Sequence, residues 1–512
     1  MKKYFKKISA LLMAAIMVLS MCTAVFAVTG DVPSEDDSAQ VTINGLEAGV
    51  TIKAYQIVDG VYNDNGFTGF TWTTLANKGN AAVFDEDGNL NLTQTDLTNI
   101  VATITDDTAH ETFKIDGENK SIDDNNKPKK LTVGTWLLLV NGGKKVYNPM
   151  IVSVYYSTDN GTITGGKFDA RDGWDLVSEP VYAKETDVTI DKVADKDTAE
   201  HGEEVNFTIT GVIPSYSAEY ETVTYKISDT LTNLELKGAP VVSLAGTTVN
   251  TANYDYRTTD TGFEISFHSD YIKGLADQID AQRKVTVTYT ATVTADATTW
   301  NPAKNEATVD YTNDPKAEPT SKKTETNTYT FDINGQILKV DEKDEALGDA
   351  EFTLYRKYED KVLSEEVTAC TTAKDGDLKG KIIFKGLAAG TYYLTETKAP
   401  ASYTLNTTVY KITITPTYEN AEAETGKKVL KSYKVTVEEL NKDGAVVKTI
   451  ESNDYTKENP TVRELVRIQN TKVGQLPSTG GMGTYIFTIA GVVLMACAAG
   501  AFIISRKKSS EE

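Results

Sequence analysis

The chain has 512 residues, a formal net charge of −21 at pH 7, and only three cysteines and three histidines. Such an acidic excess argues against nucleic acid as a partner, because nucleic acid attracts basic surfaces. Histidines and cysteines this few and this far apart nearly exclude a zinc or copper site, and no cofactor is expected. The sequence has no phosphate-binding glycine loop, no HExxH and no GxSxG motif, so a turnover enzyme has little support.

The N-terminal segment, residues 1–27, predicts a signal peptide. Four lysines precede an apolar run from Ile8 to Val25, and Val25-Phe26-Ala27 offers small residues at the cleavage positions. The chain is therefore expected to be exported. The exported body has a single cysteine, Cys370, so it has no internal disulfide, and covalent reinforcement would need another chemistry.

The body predicts β-structure throughout. Residues 285–294 read VTVTYTATVT, and this alternation of apolar residues with threonine is typical of a half-buried strand. Helical periodicity over a long window is rare, although residues 93–103 favour a short helix. Many short strands separated by Gly, Asn and Asp turns predict an all-β fold of three tandem immunoglobulin-like β-sandwiches.

Composition shifts along the body predict the domain boundaries. Residues 134–140 and 150–156 are typical of buried strands, whereas the polar, turn-rich residues 85–130 predict loops. A polar stretch with proline and lysine, residues 313–327, indicates the edge of a linker. The predicted domains cover residues 28–186, 187–328 and 329–473.

Residues 474–512 carry a motif, an apolar run and a basic tail. Leu476-Pro477-Ser478-Thr479-Gly480 is followed by the uncharged run 485–504 and then by Arg506, Lys507 and Lys508. The run is about the 20 residues that a transmembrane helix needs, and a basic tail belongs on the cytoplasmic side. An ordinary C-terminal membrane anchor is the alternative interpretation.

This order of features resembles the sorting signal of sortase substrates in Gram-positive bacteria. In that family a transpeptidase cleaves between Thr and Gly of LPxTG and joins the Thr to an amine. The resemblance implies that sortase is a partner and that cleavage falls between Thr479 and Gly480. It also implies a secreted, cell-wall-anchored protein attached to peptidoglycan.

The second and third domains each hold a lysine, a carboxyl residue and an asparagine in phase with apolar neighbours on their strands. Burying such groups unpaired costs several kcal/mol, so the three members of each set are expected to meet. Any one of them alone could instead be a strand-end residue turned to solvent. The two sets are Lys192, Asp229 and Asn305, and Lys339, Glu396 and Asn470.

Each set can form a covalent bond. Burial lowers the pKa of a lysine and raises that of a carboxyl, so a neutral amine attacks while the carboxyl donates a hydrogen bond to the asparagine carbonyl. Ammonia leaves and a Lys–Asn isopeptide bond remains, a single-turnover reaction of the protein on itself. We expect each bond to join the first and last strands of its domain.

Segments of the third domain resemble a collagen-adhesin (Cna) B-type domain. The resemblance implies that Lys339 is the nucleophile, Glu396 the proton shuttle and Asn470 the acceptor amide. The matching segments are residues 338–341 for the lysine strand, 348–354 for the AxFxL strand and 392–400 for the E-box.

The second domain resembles the middle domain of sortase-assembled backbone pilins. Its set is Lys192, Asp229 within the sequence Ile-Ser-Asp-Thr-Leu, and Asn305. In this resemblance an aspartate replaces the glutamate of the B-type domain.

Lys184 is the candidate amine that receives Thr479. In backbone pilins the acceptor lysine ends the first domain in a WxxxVxVYPK motif, and here Trp174 precedes residues 181–184, which read VYAK. Ala183 replaces the family proline, Glu179 stands where a valine is usual, and the tryptophan is one residue too early. A surface lysine between domains is the alternative.

The resemblance covers nearly the whole chain and implies the major subunit of a SpaA-type covalent pilus, which supports adhesion. The implied partners are sortase, neighbouring copies of the chain, minor pilins, peptidoglycan, and host or glycan ligands. The alternatives are a monomeric wall-anchored adhesin that binds host matrix or glycan, a minor pilin, and a secreted enzyme with stalk domains. In the first domain, Lys53 is too weak a signal to be assigned to a set.

Overall fold

The computed structural model describes the chain mainly as β-strands, which confirms the predicted all-β class. Nearly all of the predicted signal peptide, the LPSTG motif and most of the predicted membrane span lie outside the described residues. Within that span, residues 492–496 and 498–499 are helical, and no described helix is long and apolar enough to cross a membrane. The described residues are 27–28, 32–85, 89–104, 108–158, 161–162, 174–217, 220–314, 318–420, 428–452, 454–460, 464, 466–473, 492–496 and 498–499.

The N-terminal region, up to residue 186, contains strands β1 to β15. They are β1 (Ala27–Val28), β2 (Ser38–Gln40), β3 (Ile43–Asn44), β4 (Thr51–Asn63), β5 (Gly66–Trp72), β6 (Glu111–Ile115), β7 (Ser121–Ile122), β8 (Lys130–Thr132), β9 (Gly134–Asn141), β10 (Val146–Tyr147), β11 (Met150–Thr158), β12 (Gly161–Thr162), β13 (Trp174–Ser178), β14 (Val181–Tyr182) and β15 (Glu185–Thr186). The main sheet has the order β1-β13-β11-β9-β4-β6-β7, with β5 beside β4 and β12 beside β11, and the pairs β2–β8, β3–β14 and β10–β15 complete the region.

The main sheet of this region has an apolar core on both faces. Along β9, Leu138 packs into one core and Leu137 into the other, which explains the continuous apolar run. Helix α1 (Gln94–Thr103) supplies residues to the second core. The hydroxyl of Thr93 accepts from the amide of Asp96, and the Asp96 carboxylate accepts from the amide of Thr93. This capping box marks the start of the short helix that the sequence predicts at residues 93–103. The helix lies inside residues 85–130, which otherwise predict loops.

The middle region is a sandwich of two sheets of five strands, β16-β17-β23-β19-β20 and β21-β22-β18-β24-β25. In β23 every second residue is buried and the threonines between them point outward, as the alternation predicts. The strands are β16 (Ile190–Ala194), β17 (Glu204–Val212), β18 (Tyr225–Thr232), β19 (Leu234–Leu244), β20 (Thr247–Thr248), β21 (Tyr254–Thr259), β22 (Gly262–Phe267), β23 (Lys284–Val293), β24 (Ala303–Tyr311) and β25 (Thr320–Thr328), with helix α2 (Ser269–Lys273) after β22.

Strand β25 differs from the sequence prediction. The expected linker edge at residues 313–327 largely forms this strand, which pairs antiparallel with β24 along its length. Its residues are polar on both faces, with Thr324 and Thr328 buried, so the sequence lacks the apolar alternation that marks a strand. Asn305 therefore lies on the second-to-last strand of this sandwich, and the expectation that it lies on the closing strand is wrong.

The C-terminal region is a second sandwich, with sheets β29-β26-β34 and β28-β27-β30-β31-β32-β33. Its first and last strands, β26 and β34, are parallel neighbours, and Lys339 lies opposite Ile468. The strands are β26 (Phe331–Val340), β27 (Glu351–Glu359), β28 (Val362–Thr371), β29 (Lys381–Leu387), β30 (Gly390–Lys398), β31 (Val409–Asn420), β32 (Lys428–Leu440), β33 (Val446–Glu451) and β34 (Val466–Gln469).

The loop between β16 and β17 contacts the C-terminal sandwich. The amide of His201 donates to the carbonyl of Gly386 at 2.9 Å. The carboxylate of Glu200 accepts from the Arg356 guanidinium and from the Tyr392 hydroxyl, the latter at 3.1 Å. Arg356 also stacks on the Tyr392 ring, 4.3 Å from its centroid. These contacts fix a joint between the two sandwiches.

The buried apolar residues form separate clusters in the three regions. Two clusters lie in the N-terminal region, one in the middle sandwich and one in the C-terminal sandwich. Val146 of the N-terminal region packs into the middle cluster, so these two regions share a contact. The clusters support the three predicted domains, whose boundaries stay a prediction.

Candidate functional site

The predicted set Lys192, Asp229 and Asn305 comes together between the two sheets of the middle sandwich. Lys192 lies on β16 in one sheet, while Asp229 and Asn305 lie on the neighbouring strands β18 and β24 of the other. The three residues are 4%, 2% and 0% exposed. Lys192 Nζ donates to the Asp229 carboxylate and, at 2.7 Å, to Asn305 Oδ1. The attacking amine is therefore already beside the amide that it would attack.

Tyr289 completes this site, although the sequence analysis does not single it out. Its hydroxyl accepts from Lys192 Nζ at 2.6 Å and from Asn305 Nδ2 at 2.8 Å. Its ring stacks on Phe207 at 5.5 Å between centroids and meets Phe263 edge-on at 4.9 Å. The alternation along β23 predicts that Tyr289 points inward. An inward-pointing tyrosine in a strand is ordinarily interpreted as part of the hydrophobic core, so the sequence does not mark it as a site residue.

Burial shifts the protonation of this set toward the neutral forms. It lowers the pKa of Lys192 to about 8, although Asp229 opposes the shift. Burial likewise raises the pKa of Asp229, while Lys192 and a hydrogen bond with Tyr289 oppose this shift. A neutral amine is the nucleophilic form of lysine, and a neutral carboxyl is a hydrogen-bond donor. Burial therefore increases the fraction of each group that is in its reactive state.

The set Lys339, Glu396 and Asn470 also meets in a core. Lys339 lies on β26, Asn470 directly follows the adjacent parallel strand β34, and Glu396 lies on β30 of the facing sheet. Lys339 Nζ lies 3.9 Å from Glu396 Oε1 and donates to the Ile468 carbonyl at 2.9 Å. Asn470 Nδ2 donates to the two carboxylate oxygens of Glu396 at 2.9 and 3.0 Å. The carboxyl thus contacts the amide and approaches the amine.

Burial shifts the pKa values of the second set in the same directions as those of the first. It lowers the pKa of Lys339 to about 8. Burial also raises the pKa of Glu396, although hydrogen bonds from the Asn406 amide and the Asn470 side chain oppose this. Asn470 Oδ1 has no hydrogen-bond partner among the described residues. A half-turn of this amide exchanges its oxygen and nitrogen, and a protonated Glu396 then donates to Oδ1.

The two sets would connect different parts of their sandwiches. A Lys192–Asn305 bond joins one sheet to the other, whereas a Lys339–Asn470 bond joins neighbouring strands of one sheet. The structure brings together both sets that the sequence predicts, and the two isopeptide bonds stay predictions.

Lys184 is exposed in the short segment between β14 and β15, at the junction of the N-terminal and middle regions. Strand β14 pairs in parallel with β3, and the Ala183 amide donates to the Asn44 carbonyl at 2.8 Å. The Lys184 carbonyl accepts from the amide of Asn148 at 3.0 Å. Backbone bonds on both sides of the side chain therefore hold it at the surface.

Charged residues of the middle region act electrostatically on the Lys184 amine. Partial burial and the Arg283 guanidinium lower its pKa, while Asp277 and Asp280 act in the opposite direction. A lower pKa increases the fraction of neutral amine, which is the form that attacks an acyl carbon. Thr479, the predicted partner of Lys184, lies outside the described residues.

Two protein families match parts of the chain. The SpaA family, described as a prealbumin-like fold domain, matches residues 334–429, which include Lys339 and Glu396. The LPXTG cell wall anchor motif matches residues 468–511. These matches confirm the predicted cell-wall-anchored surface location.

The chain is also similar over most of its length to pilus proteins. It is 26% identical over 577 aligned residues to the trypsin-resistant surface T6 protein of Streptococcus pyogenes serotype M6, covering 95% of this chain and 99% of that protein. The solved T6 backbone pilin of serotype M6 Streptococcus pyogenes has 21% identity and a TM-score of 0.58, covering 86% of this chain and 100% of that one.

The full-length major pilin SpaD from Corynebacterium diphtheriae has 18% identity and a TM-score of 0.50, covering 86% of this chain and 99% of that one. At these identities the structural likeness establishes the modular β fold. Together with the family matches and the T6 relative, it confirms the predicted resemblance to sortase-assembled major pilins.

Proposed function

We propose that this chain, a wall-anchored surface protein of the sortase-assembled major pilin type, is the backbone subunit of a covalent pilus. Sortase cleaves after Thr479 of one copy and joins that residue to the Lys184 amine of the next. The same cleavage attaches the base of the polymer to peptidoglycan. The observation that carries the proposal is the position of Lys184, exposed directly before the two sandwiches that hold buried Lys–acid–Asn sets.

The two sets form isopeptide bonds within each copy of the chain. In each reaction the lysine nitrogen replaces the amide nitrogen of asparagine, and one ammonia molecule is released. Each set reacts once, and we propose no turnover activity. If the bonds act as disulfides of similar loop length do, each adds about 4 to 5 kcal/mol to the free energy of unfolding.

The polymer linkage explains why these two regions hold such sets. Tension that enters at Lys184 and leaves at Thr479 crosses the middle and C-terminal sandwiches, while most of the N-terminal region lies beside that path. Buried Lys–acid–Asn contacts occur in both sandwiches on the path. A monomeric adhesin has no need for this coincidence. Minor pilins and a host or glycan ligand enter the proposal only through the family resemblance.

Replacing Lys184 with alanine tests the polymer linkage. We expect boiled cell-wall extracts of the unaltered chain to give a high-mass ladder on a denaturing gel, because the linkages are covalent. The ladder should disappear in Lys184→Ala, which lacks the acceptor amine. Lys144→Ala is the matched control, because Lys144 is an exposed lysine of the same region and should leave the ladder intact.

The other outcomes of the gel have distinct meanings. A ladder that persists in Lys184→Ala assigns the acceptor role to another lysine and leaves the pilus proposal standing. A single band for every chain, the unaltered one included, overturns the proposal in favour of a monomeric wall-anchored adhesin.

A further inference from the structure

We propose that Tyr289 is a catalytic residue of the Lys192–Asn305 reaction, and that its hydroxyl relays a proton from the attacking amine to the departing amide nitrogen. The inference rests on the proposed function, because it assumes that the middle sandwich forms its isopeptide bond. It adds a group to the reaction that the Lys–acid–Asn pattern does not include.

The Tyr289 hydroxyl lies between the two nitrogen atoms that exchange places. It contacts Lys192 Nζ at 2.6 Å and Asn305 Nδ2 at 2.8 Å, both within hydrogen-bond range. Phe207 and Phe263 pack against the ring and fix its direction. Because the residue is buried, the hydroxyl works away from bulk water, which would otherwise carry the proton.

The relay accounts for each bond and each proton of the reaction. Neutral Lys192 Nζ forms a bond to Asn305 Cγ and the C=O π bond opens, so that negative charge develops on Oδ1. The Asp229 carboxyl, which contacts Nζ, is neutral and does not repel this charge. Once Cγ is tetrahedral, Nδ2 has a free lone pair and accepts the hydroxyl proton of Tyr289, whose oxygen takes a proton from Nζ. The Cγ–Nδ2 bond then breaks, ammonia leaves, and the tyrosine is regenerated with its proton.

In the C-terminal sandwich a different group can carry the proton to the departing amide nitrogen. There the Glu396 carboxyl contacts the amide nitrogen of Asn470 and can carry the proton itself. Asp229 is shorter than glutamate by one methylene and contacts the lysine instead. In the middle sandwich the Tyr289 hydroxyl therefore occupies the place beside the amide nitrogen that the carboxyl occupies in the other.

Tyr289→Phe removes the hydroxyl and keeps the ring. The full chain is freshly synthesised, digested at successive times, and the peptides that link Lys192 to Asn305 and Lys339 to Asn470 are quantified by mass spectrometry. We expect the first link to form about a hundredfold more slowly in Tyr289→Phe, as for the loss of a general acid–base group. The second link of the same chain is the internal control and should form at its usual rate.

Tyr225→Phe is the matched control variant. Tyr225 is another buried tyrosine of the middle sandwich, and its hydroxyl has no hydrogen-bond partner among the described residues. Its loss should leave both links unchanged. Neither Asp229→Asn nor Asp229→Asn/Tyr289→Phe forms the bond, so the difference between their Tm values gives the structural contribution of the hydroxyl, which accepts two buried hydrogen bonds. We expect both variants to remain folded at the temperature of the linkage assay.

Equal rates of the Lys192–Asn305 link in the unaltered chain and in Tyr289→Phe would overturn the relay. Unfolding of Asp229→Asn/Tyr289→Phe at the temperature of the linkage assay, where Asp229→Asn stays folded, would also overturn it, in favour of a structural role. Absence of the link in the unaltered chain would overturn the middle crosslink itself, and the relay with it. The Lys184 gel is independent of this result, so failure of the two proposals can be distinguished.

Discussion

Asp229 and Glu396 are buried carboxyls that hold their partners in different ways. Asp229 contacts the lysine of its set, whereas Glu396 contacts the asparagine. In both cases burial raises the carboxyl pKa, so the acid can keep the proton that the reaction needs. In the proposed reactions, each Lys–Asn pair therefore has one buried carboxyl as its acid.

Glu396→Gln keeps the size of the side chain and removes its acid. We expect the Lys339–Asn470 bond to be absent, so the chain keeps the mass of the one ammonia that this bond would release. The Lys192–Asn305 bond should still form in the other core. The C-terminal sandwich should lose about 4 to 5 kcal/mol of unfolding free energy, because the crosslink no longer restricts its unfolded state. Peptide mass spectrometry and urea unfolding check the two parts.

The control for Glu396→Gln is Glu351→Gln. Glu351 lies on β27 and pairs with Lys398 at the surface, so both bonds should form in this variant. A Lys339–Asn470 bond in Glu396→Gln at its usual rate would mean that the carboxyl has no part in the chemistry.

The sequence predicts six residues of these two sites but not Tyr289. Each of the six is a polar residue in phase with apolar neighbours, which is an anomaly visible in one strand. Tyr289 is amphipathic, and between Val287 and Ala291 it satisfies the pattern of an ordinary buried strand. Its role depends on partners from two other strands, and strand periodicity carries no information about them.

Among the elements, the joint between the two sandwiches rests on a close approach at Gly386. This residue has φ of 65°, in the left-handed region, and a Cβ there would overlap the ring of His201. The His201 amide bonds to the Gly386 carbonyl, and its Nε2 lies 2.9 Å from the Ala297 carbonyl. The imidazole is thus held against the glycine from both sides.

Gly386→Ala should therefore weaken the joint. The alanine must adopt a left-handed backbone and also displace the His201 ring, so we expect a loss of about 2 to 4 kcal/mol in unfolding free energy. Gly376→Ala is the matched control, because Gly376 has φ of 73° and open space around it. It carries the backbone strain without the overlap. Equal decreases in Tm for the two variants would show that the overlap with the His201 ring adds no cost beyond the backbone strain.

Strands were predictable where one face is apolar and not where both faces are polar. The apolar alternation in β23 clearly predicts a strand. The sequence of β25 predicts a linker instead, because its buried positions are threonines. Lysines along such an edge strand discourage pairing with other chains, so this composition protects the edge while hiding it from a sequence pattern.

In the whole molecule, the position of β25 changes how the middle sandwich carries tension. If Lys192 is joined to Asn305 as proposed, tension along the fibre passes from Asn305 through β24 and β25 to the C-terminal sandwich. Asn305 lies opposite Thr326, so the pull acts on adjacent ends of an antiparallel pair. Such loading separates the hydrogen bonds one pair at a time, so we expect β25 to open before the rest of the path. The load must also break its contacts outside this pair, those of Lys322 with Asp187 and of Thr328 with the Lys196 carbonyl.

Single-molecule pulling between positions 184 and 473 tests this. We expect one reversible extension of roughly 75 Å at low force, which is the extended length of residues 306–327. Lys192→Ala should replace it with an extension several times longer, because the whole middle sandwich then bears the load. An unaltered chain that never shows the short extension would mean that β25 does not detach before the rest of the path.

The parallel pairing of β26 with β34 has a consequence for the outer surface of the fibre. In the proposed fibre, a bond between Lys339 and Asn470 makes residues 340–469 a closed branch beside the line of pull. The exposed edge strands of this branch, β28 and β33, bear no force. Their loops can lengthen or change their chemistry without weakening the fibre. The surface offered to the surroundings is thereby free to diversify while the strength of the filament stays constant.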